Sequence, residues 1–146
     1  HTPATLQDFV WWSGLSVTEA KQGIYLIGCE LTEEQWKGQT WYLHESGRTR
    51  GSIKGHIQFL PPYDELLLGY KDRTDVLPSE HYSKAFTGNG LFFPVILYEG
   101  QIVGNWDRKV KRNGCAPEYS LFRQESRIDE ALLDKAQQQY MQFLGK

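Results

Sequence analysis

The chain has 146 residues, of which 40% are hydrophobic and 14% aromatic, and its formal net charge is −2 with a pI near 6.1. This length fits one domain or two very small ones, and this composition excludes a disordered chain. The apolar runs are too short to cross a bilayer and no signal-peptide pattern opens the chain, so we expect a cytoplasmic protein. The acidic balance argues against a module that binds nucleic acid by phosphate neutralisation alone.

The first predicted elements are two short helices joined by a tight turn. Thr5 followed by Asp8 resembles a capping box, and Ser16 followed by Glu19 is a full one, so each pair predicts a helix start. Gly14 lies between them and suits a left-handed helix end. Helix, tight turn and helix together predict a helix-turn-helix.

The second helix is predicted to end near Ile27 and to have two distinct faces. Its apolar positions predict a buried stripe of Val17, Ala20, Ile24 and Ile27. The opposite face carries side chains that can meet a polar surface, namely Thr18, Lys21, Gln22 and Tyr25.

The first helix carries two adjacent tryptophans, Trp11 and Trp12. Adjacent helical positions diverge by roughly 100°, so we expect one indole in the core and the other against a neighbouring unit. Packing is favoured here over stacking on nucleic acid. An exposed indole would indicate a missing partner surface.

A hairpin and a connector follow the two helices. The strand-like stretches CELTEEQW and QTWYLHE flank Lys37-Gly38, which has turn chemistry and predicts the wing of a winged helix. The next stretch, SGRTRGSIKG, carries Arg48, Arg50 and Lys54 and predicts a flexible connector. We therefore predict a winged helix over residues 1–50 and a second domain over 51–146.

The second domain is predicted to be mostly antiparallel β-structure. HIQFL predicts a strand broken by Pro61-Pro62, YDELLLGYKDR a short helix or turn, and Ser79–Phe86 a helix capped by Ser79. Pro94 is expected at a strand start, Glu99-Gly100 joins two apolar strands, and a turn at Asn113-Gly114 precedes the strand PEYSLFR.

The chain ends in a predicted helix over 127–144, capped by Ser126 with Asp129 at the third helical position. Its apolar face is predicted to be Ile128, Leu132, Ala136, Tyr140, Phe143 and Leu144. The fold class is therefore α+β: a winged helix-turn-helix, then a small antiparallel β-barrel-like domain with a C-terminal helix.

The motif search predicts no catalytic residue, no cofactor and no metal. The four histidines lack metal-ligand spacing, and Cys29 and Cys115 form no C-x-x-C pair. Reduced cysteines are favoured over a single disulfide. Adjacent helical residues such as Glu80 and His81 point apart, so this pair is not predicted to act in catalysis.

Basic residues mark the candidate contacts with double-stranded DNA. A run of basic residues is commonly only a solvated surface. For the stretch from Arg108 to Arg112, a solvated surface and DNA contact are equally favoured interpretations. Alternate strand positions share a face, so Arg108 and Arg112 face together, away from Lys109 and Lys111. The predicted DNA-contacting residues are Lys21, Gln22, Arg48, Arg50, Arg108 and Arg112.

An ordered set of residues resembles a known family. The set comprises Trp11-Trp12-Ser13-Gly14, Leu60-Pro61-Pro62-Tyr63-Asp64, Gly69, Asp72-Arg73, Pro94 and Gly100 to Trp106. It is similar to the C-terminal portion of the winged-helix crosslink-repair (alkylpurine) DNA glycosylases. Within it, Trp11, Trp12, Pro62, Tyr63, Asp64, Arg73 and Trp106 are predicted to be structural. Asp64 and Arg73 are predicted to tie the loop to the β-domain, by a direct ion pair or through backbone bonds.

The resemblance implies tandem winged helices followed by a β-barrel-like domain, with a catalytic Gln-x-Gln or Gln-x-Asp motif N-terminal to this sequence. Gln137 and Gln139 match the letters but are predicted on the outer face of the closing helix, so catalysis is not assigned to them. The chain begins at His1 without a methionine, close to a helix cap, and is expected to be part of a longer protein.

The predicted function is to grip DNA within a glycosylase that acts on alkylated or crosslinked bases, without catalysing. The predicted partners are double-stranded DNA, bound weakly, and N-terminal winged-helix domains of the same chain. Two alternatives stay open: a non-catalytic winged-helix transcription regulator, and a protein-interaction module.

Overall fold

The computed structural model describes residues 2–47, 51–111, 114–123 and 128–143. The chain divides into two units of mixed α+β structure with antiparallel sheets. Unit 1 is His1–Ser52 with Glu65–Asp72, and unit 2 is Ile53–Asp64 with Arg73–Lys146.

Unit 1 combines short helices with a three-stranded antiparallel sheet. Its elements are β1 (Ala4–Thr5), α1 (Leu6–Ser13), α2 (Val17–Ile27), β2 (Leu31–Trp36), β3 (Gln39–His44) and α3 (Glu65–Leu68). The strand order is β1-β3-β2, with β2 and β3 forming the predicted hairpin and Trp36 opposite Gln39 at its end.

Local signals set the helix ends of unit 1 as predicted. Thr5 and Ser16 each accept a hydrogen bond from the backbone N–H three residues on, and Asp8 and Glu19 accept in return, so both capping boxes are complete. Gly14 ends α1 in the left-handed conformation at φ 71°. This close match follows because each signal acts within one helical turn.

The predicted buried stripe of α2 is only half right. Ala20 is fully buried and Ile24 partly buried, but Val17 and Ile27 are 41% and 46% exposed. The stripe is longer than the surface available to it, because α1 is only eight residues long and β1 only two. The residues at the two ends of the stripe therefore remain exposed to solvent.

The tryptophan prediction is wrong as well. Trp11 and Trp12 are 54% and 53% exposed, so neither indole enters the core. The Trp11 Nε1–H group donates to the Leu68 carbonyl, with 3.1 Å between N and O. The Leu68 carbonyl therefore satisfies this indole N–H at the surface of unit 1.

Asp8 joins the chain start to the segment Glu65–Asp72. Its buried carboxylate accepts from the Thr5 backbone N–H and hydroxyl through one oxygen and from the Lys71 backbone N–H, at 3.0 Å, through the other. The Tyr70 hydroxyl donates to the Pro3 carbonyl at 3.0 Å. Burial, and then the Asp8 charge, raises the pKa of Tyr70 above its ordinary value.

Unit 2 is a four-stranded antiparallel sheet with one long helix. Its elements are β4 (Ile57–Leu60), α4 (Tyr82–Ala85), β5 (Val95–Tyr98), β6 (Gln101–Lys111), β7 (Gly114–Leu121) and α5 (Glu130–Phe143). The predicted strand start after Pro94 and the turn at Glu99-Gly100 are confirmed. Asn113, the first residue of the other predicted turn, lies outside the described residues.

The predicted barrel-like closure is wrong for the strands that the structure describes. They form an open sheet in the order β4-β5-β6-β7, so β4 and β7 are edges and do not pair with each other. Helix α5 contacts both edge strands and covers the sheet between them. Covering a face with a helix buries its apolar side chains without closing the sheet.

The core of unit 2 lies between this sheet and α5. It contains six buried residues: Ile57, Ile96, Trp106, Ile128, Leu133 and Ala136. Leu133 is 2% exposed although it was not assigned to the apolar face, whereas Phe143, which was, is 86% exposed. The buried face is therefore rotated towards Leu133, and Phe143 at the end of the helix is left exposed.

Two predicted caps in unit 2 need correction. Helix α5 begins at Glu130, and Asp129 precedes it and accepts from the Ala131 backbone N–H at 2.9 Å, so Asp129 is no third helical residue. Ser126, Arg127 and Leu144 lie outside the described residues. Ser79 does not cap its helix, because it is already the first residue of a 3-10 turn that follows Pro78.

Candidate nucleic-acid interface

Formal charge is distributed unevenly between the two units. Unit 1 contains eight acidic and five basic residues, and unit 2 contains ten acidic and eleven basic residues. Their formal charges are therefore −3 and +1, which together give the −2 of the chain. Because DNA affinity depends mainly on phosphate contacts, unit 2 is the better candidate to hold the backbone.

The β6–β7 hairpin carries the densest basic stretch of unit 2. Arg108 and Lys109 are exposed and lie opposite Pro117 and Ala116 in the ladder. The Lys109 ammonium is 3.3 Å from the Glu118 carboxylate, so part of its charge is neutralised on one face. Arg112 lies outside the described residues.

Arg108 lies beside an apolar groove of about 800 Å³ in unit 2. The groove lies between the sheet and the end of α5. Its polar lining residues are Gln58, Asp107, Arg108 and Gln139, and its apolar ones include Leu60, Pro61, Pro62, Trp106 and Tyr140. Basic charge and an apolar surface therefore adjoin within one unit.

Trp106 forms the floor of this groove. It is 7% exposed, stacks on Phe59 with ring centroids 5.6 Å apart, and meets the Tyr140 ring edge-on at 4.9 Å. Its Nε1–H donates to the Leu60 carbonyl at 2.7 Å, which holds the residue before Pro61-Pro62 against the sheet. Sequence reasoning selected Trp106 but missed Phe59, whose signal was its alternation with Ile57 along β4.

The Pro-Pro-Tyr-Asp stretch leads from this groove to a cluster of aromatic rings. Tyr63 is 49% exposed, and its ring centroid lies 6.0 Å from that of Phe92. The Arg73 guanidinium lies over Phe86 and Phe92, at 5.1 and 5.6 Å from the ring centroids. The ion pair between Asp64 and Arg73 stays a prediction.

The predicted contact residues of unit 1 lie on α2 and after the β2–β3 hairpin. Lys21 and Gln22 are both exposed, on the same helix as Tyr25 and Leu26, which are 84% and 80% exposed. The outer surface of α2 is thus polar in its first half and apolar near its end. Arg48 and Arg50 lie outside the described residues, so their placement relative to α2 stays a prediction.

The β2–β3 hairpin is acidic and aromatic. Glu33 and Glu34 are exposed on β2, and Trp36 is 49% exposed with the Lys37 ammonium 4.4 Å from its ring centroid. The Trp36 and Trp41 rings meet edge-on at 5.5 Å. Two carboxylates beside a single lysine disfavour phosphate contact here.

The described residues contain no group of three His, Cys, Asp or Glu side chains arranged to hold a metal ion. In the same part of the chain, no helix is both long and apolar enough to span a membrane. Cys29 is exposed as a free thiol. In unit 2, the hydrogen bond from Arg123 lowers the pKa of the Glu80 carboxyl.

Comparison with known families decides the identity. The family described as DNA glycosylase AlkZ-like matches residues 1–143 of the chain. This chain belongs to the AlkZ-like DNA glycosylase family. The resemblance drawn from the ordered residue set is thereby confirmed.

A curated sequence and a solved structure, both from Streptomyces sahachiroi, illustrate the relationship. The interstrand DNA cross-link repair glycosylase of Streptomyces sahachiroi is 28% identical over 114 residues, which cover 73% of this chain and 31% of that protein. The solved structure of Streptomyces sahachiroi DNA glycosylase AlkZ is similar in fold, with a TM-score of 0.72 and 24% identity over 92% of this chain and 37% of that one. This chain therefore spans about a third of the length of the relatives it matches.

The two glutamines that match the letters of the motif implied by the resemblance occupy different environments. The Gln137 side-chain amide is partly buried and donates to the Pro117 carbonyl at 3.3 Å, so its prediction as solvent-facing is wrong. Gln139 is exposed and lines the groove. One glutamine is thus held by β7 while the other faces the groove, so the pair does not converge on one point.

Proposed function

We propose that this chain is the DNA-gripping, non-catalytic part of a DNA-repair glycosylase that acts on alkylated or crosslinked bases. The observation that carries the proposal is the basic β6–β7 hairpin of unit 2 in a chain that belongs to the AlkZ-like family. Unit 2 has the positive balance that phosphate contacts require, and its groove adjoins Arg108.

Within this proposal, residues 1–50 act as a winged helix and residues 51–146 as a separate β-domain. The order of a short strand, two capped helices and a β-hairpin supports the winged-helix assignment. The proposed phosphate and base contacts are Lys21, Gln22, Arg48, Arg50, Arg108 and Arg112. The proposed partners are double-stranded DNA, bound weakly by this chain alone, and winged-helix domains N-terminal to it.

The chemistry of the described side chains supports the non-catalytic assignment. Cleavage of a glycosidic bond needs a positioned water and groups that stabilise the developing charge on the sugar. Gln137 is engaged by Pro117, and Gln139 faces an apolar groove. The family resemblance assigns the catalytic glutamine motif to sequence upstream of His1.

The surface of α2 favours a second candidate function, a protein-interaction module. Tyr25 and Leu26 are more than three-quarters exposed, and unit 1 is acidic. Contiguous exposed apolar side chains are typical of protein–protein interaction sites. In this reading unit 1 binds protein, and DNA binding resides in unit 2 or outside the chain.

Base excision separates these functions. We expect the full-length protein, and not this chain alone, to generate abasic sites in duplex DNA that carries an alkylated purine. Absence of excision by the full-length protein would favour the interaction module or a regulator. Excision by this chain alone, abolished by Gln137→Ala or Gln139→Ala and retained by the neighbouring control Gln138→Ala, would contradict the non-catalytic assignment.

A further inference from the structure

Tyr63 has an unusual backbone conformation. Three non-glycine residues with positive φ occur among the described residues: Lys37 at 52°, Glu99 at 48° and Tyr63 at 60°. Lys37 and Glu99 each precede a glycine of positive φ in a hairpin turn, where this conformation is required. Tyr63 lies in no hairpin, and a bulky residue there carries a steric cost that glycine would avoid.

The loop that holds Tyr63 is fixed at its start. Leu60 pairs with Val95 in the sheet, and its carbonyl accepts from the Trp106 indole at 2.7 Å. Pro61 and Pro62 then restrict the backbone φ angles. The backbone that leads to Tyr63 therefore loses little conformational freedom when a ligand binds.

The Tyr63 ring meets the Phe92 ring in a tilted arrangement, with an interplanar angle of 53°, and the residue is about half exposed to solvent. Its neighbour Phe92 lies 5.4 Å from Phe86, and the Arg73 guanidinium covers both of these rings. Tyr63 is the most exposed of the three aromatic residues, at 49%.

Tyr63 directly follows two residues that line the apolar groove. Pro61 and Pro62, which directly precede Tyr63, line the same groove as Arg108. A nucleic-acid backbone held at Arg108 would thus run near the Tyr63 loop. Aromatic rings beside basic side chains are the arrangement by which proteins stack unpaired bases.

Resting on the proposed function, we propose that the Tyr63 ring is a stacking surface for an unpaired nucleobase. The faces of bases in an intact duplex are covered by neighbouring bases, so only an extrahelical base offers a free face. This assigns to unit 2 a preference for distorted over intact duplex, in addition to its contacts with phosphate.

The test compares three duplexes of one sequence: fully paired, with a single bulged adenine, and with an abasic bulge at the same place. We expect the wild-type chain to bind the adenine bulge about tenfold more tightly than the abasic bulge, the range of one base–aromatic stack. Tyr63→Ala and Tyr63→Gly should abolish this difference and leave affinity for the paired duplex unchanged. Tyr63→Phe and Tyr63→Trp should keep it.

Two controls separate stacking from folding. Tyr63→Gly removes the steric cost of the positive φ, so its melting temperature should stay close to that of wild type. Phe93→Ala removes another exposed ring, 37% exposed, and should preserve the bulge preference. With 2-aminopurine in the bulge, fluorescence should fall on binding to wild type and not to Tyr63→Ala.

The outcomes distinguish the two proposals. A wild-type chain that binds none of the three duplexes overturns both the proposed function and the stacking role. Equal binding of all three duplexes, or a preference that survives Tyr63→Ala, overturns the stacking role alone. Loss of preference only in variants that have also lost their melting transition, with Tyr63→Gly among them, assigns Tyr63 a purely structural role.

Discussion

At the scale of single residues, Gly104 and Trp106 show why a G-x-W sequence stands in β6. A Cβ at Gly104 would lie 2.5 Å from the Ser120 carbonyl oxygen, so β7 can approach only because the side chain is absent. Two positions on, the Trp106 indole holds the Leu60 carbonyl. The ordered residue set includes the stretch from Gly100 to Trp106. The contacts that require Gly104 and Trp106 are with distant strands, and no local pattern predicts them.

Gly104→Ala should therefore destabilise the protein. The contact is with backbone, which cannot rotate away, so we expect a loss of about 1–3 kcal/mol in the free energy of unfolding. Gly88→Ala is the matched control, because a Cβ there meets nothing within 4 Å. Urea unfolding of the two variants checks this, and equal stabilities would contradict the close approach of β6 and β7.

Asp8 shows the limit of prediction from neighbouring residues. Its bonds to Thr5 follow from a four-residue pattern and were predicted. Its bond to the Lys71 N–H joins residues 63 positions apart, and no local pattern predicts such a contact. For the same reason the assignment of Glu65–Asp72 to unit 1 could not be anticipated.

At the scale of secondary-structure elements, prediction succeeded where caps and turns decide. The bounds of α1 and α2, the Lys37-Gly38 turn and the Glu99-Gly100 turn all follow from steric preferences of a few residues. It failed for burial along α2 and α5, where Val17 and Phe143 are exposed. Burial depends on which partner surface reaches each turn, and that is set by the whole unit.

The capping box of α2 yields a stability prediction. Ser16→Ala removes the acceptor for the Glu19 backbone N–H and should lower the free energy of unfolding by about 1 kcal/mol. Gly23→Ala, in the same helix with open space at its Cβ, should raise it by about 0.5–1 kcal/mol. Thermal melts that show no difference between these two variants would contradict this account of α2.

The same box also sets a dependence on pH. Hydrogen bonds from Ser16 hold the pKa of the Glu19 carboxyl below its ordinary value of 4.5. A lowered folded-state pKa means that this stabilisation is complete above pH 4.5 and is lost as the pH falls through the lowered value. The stability difference between wild type and Ser16→Ala should accordingly shrink between pH 7 and pH 3 in urea unfolding, whereas a constant difference would argue against the ionised box.

At the scale of the whole molecule, the main feature is the uneven division of formal charge between the two units. The sequence presents one weakly acidic chain, but its contact-defined units separate an acidic part from a slightly basic one. The open sheet was also beyond sequence reasoning, since strand patterns are alike in open and closed sheets and only the pairing of edges distinguishes them. Family membership, by contrast, was readable from the ordered residue set.

The measurement that tests the central claim most directly is the affinity of this chain for duplex DNA as a function of salt. We expect a Kd of roughly 10⁻⁴ to 10⁻⁶ M at physiological salt, with affinity falling as salt rises. Arg108→Glu with Arg112→Glu should weaken binding to every sequence and flatten the salt dependence more than Lys21→Glu does. Lys135→Glu, a charge reversal at an exposed position of α5, should change neither. Unchanged affinity and salt slope in the Arg108→Glu, Arg112→Glu variant would contradict the claim that the basic hairpin grips DNA.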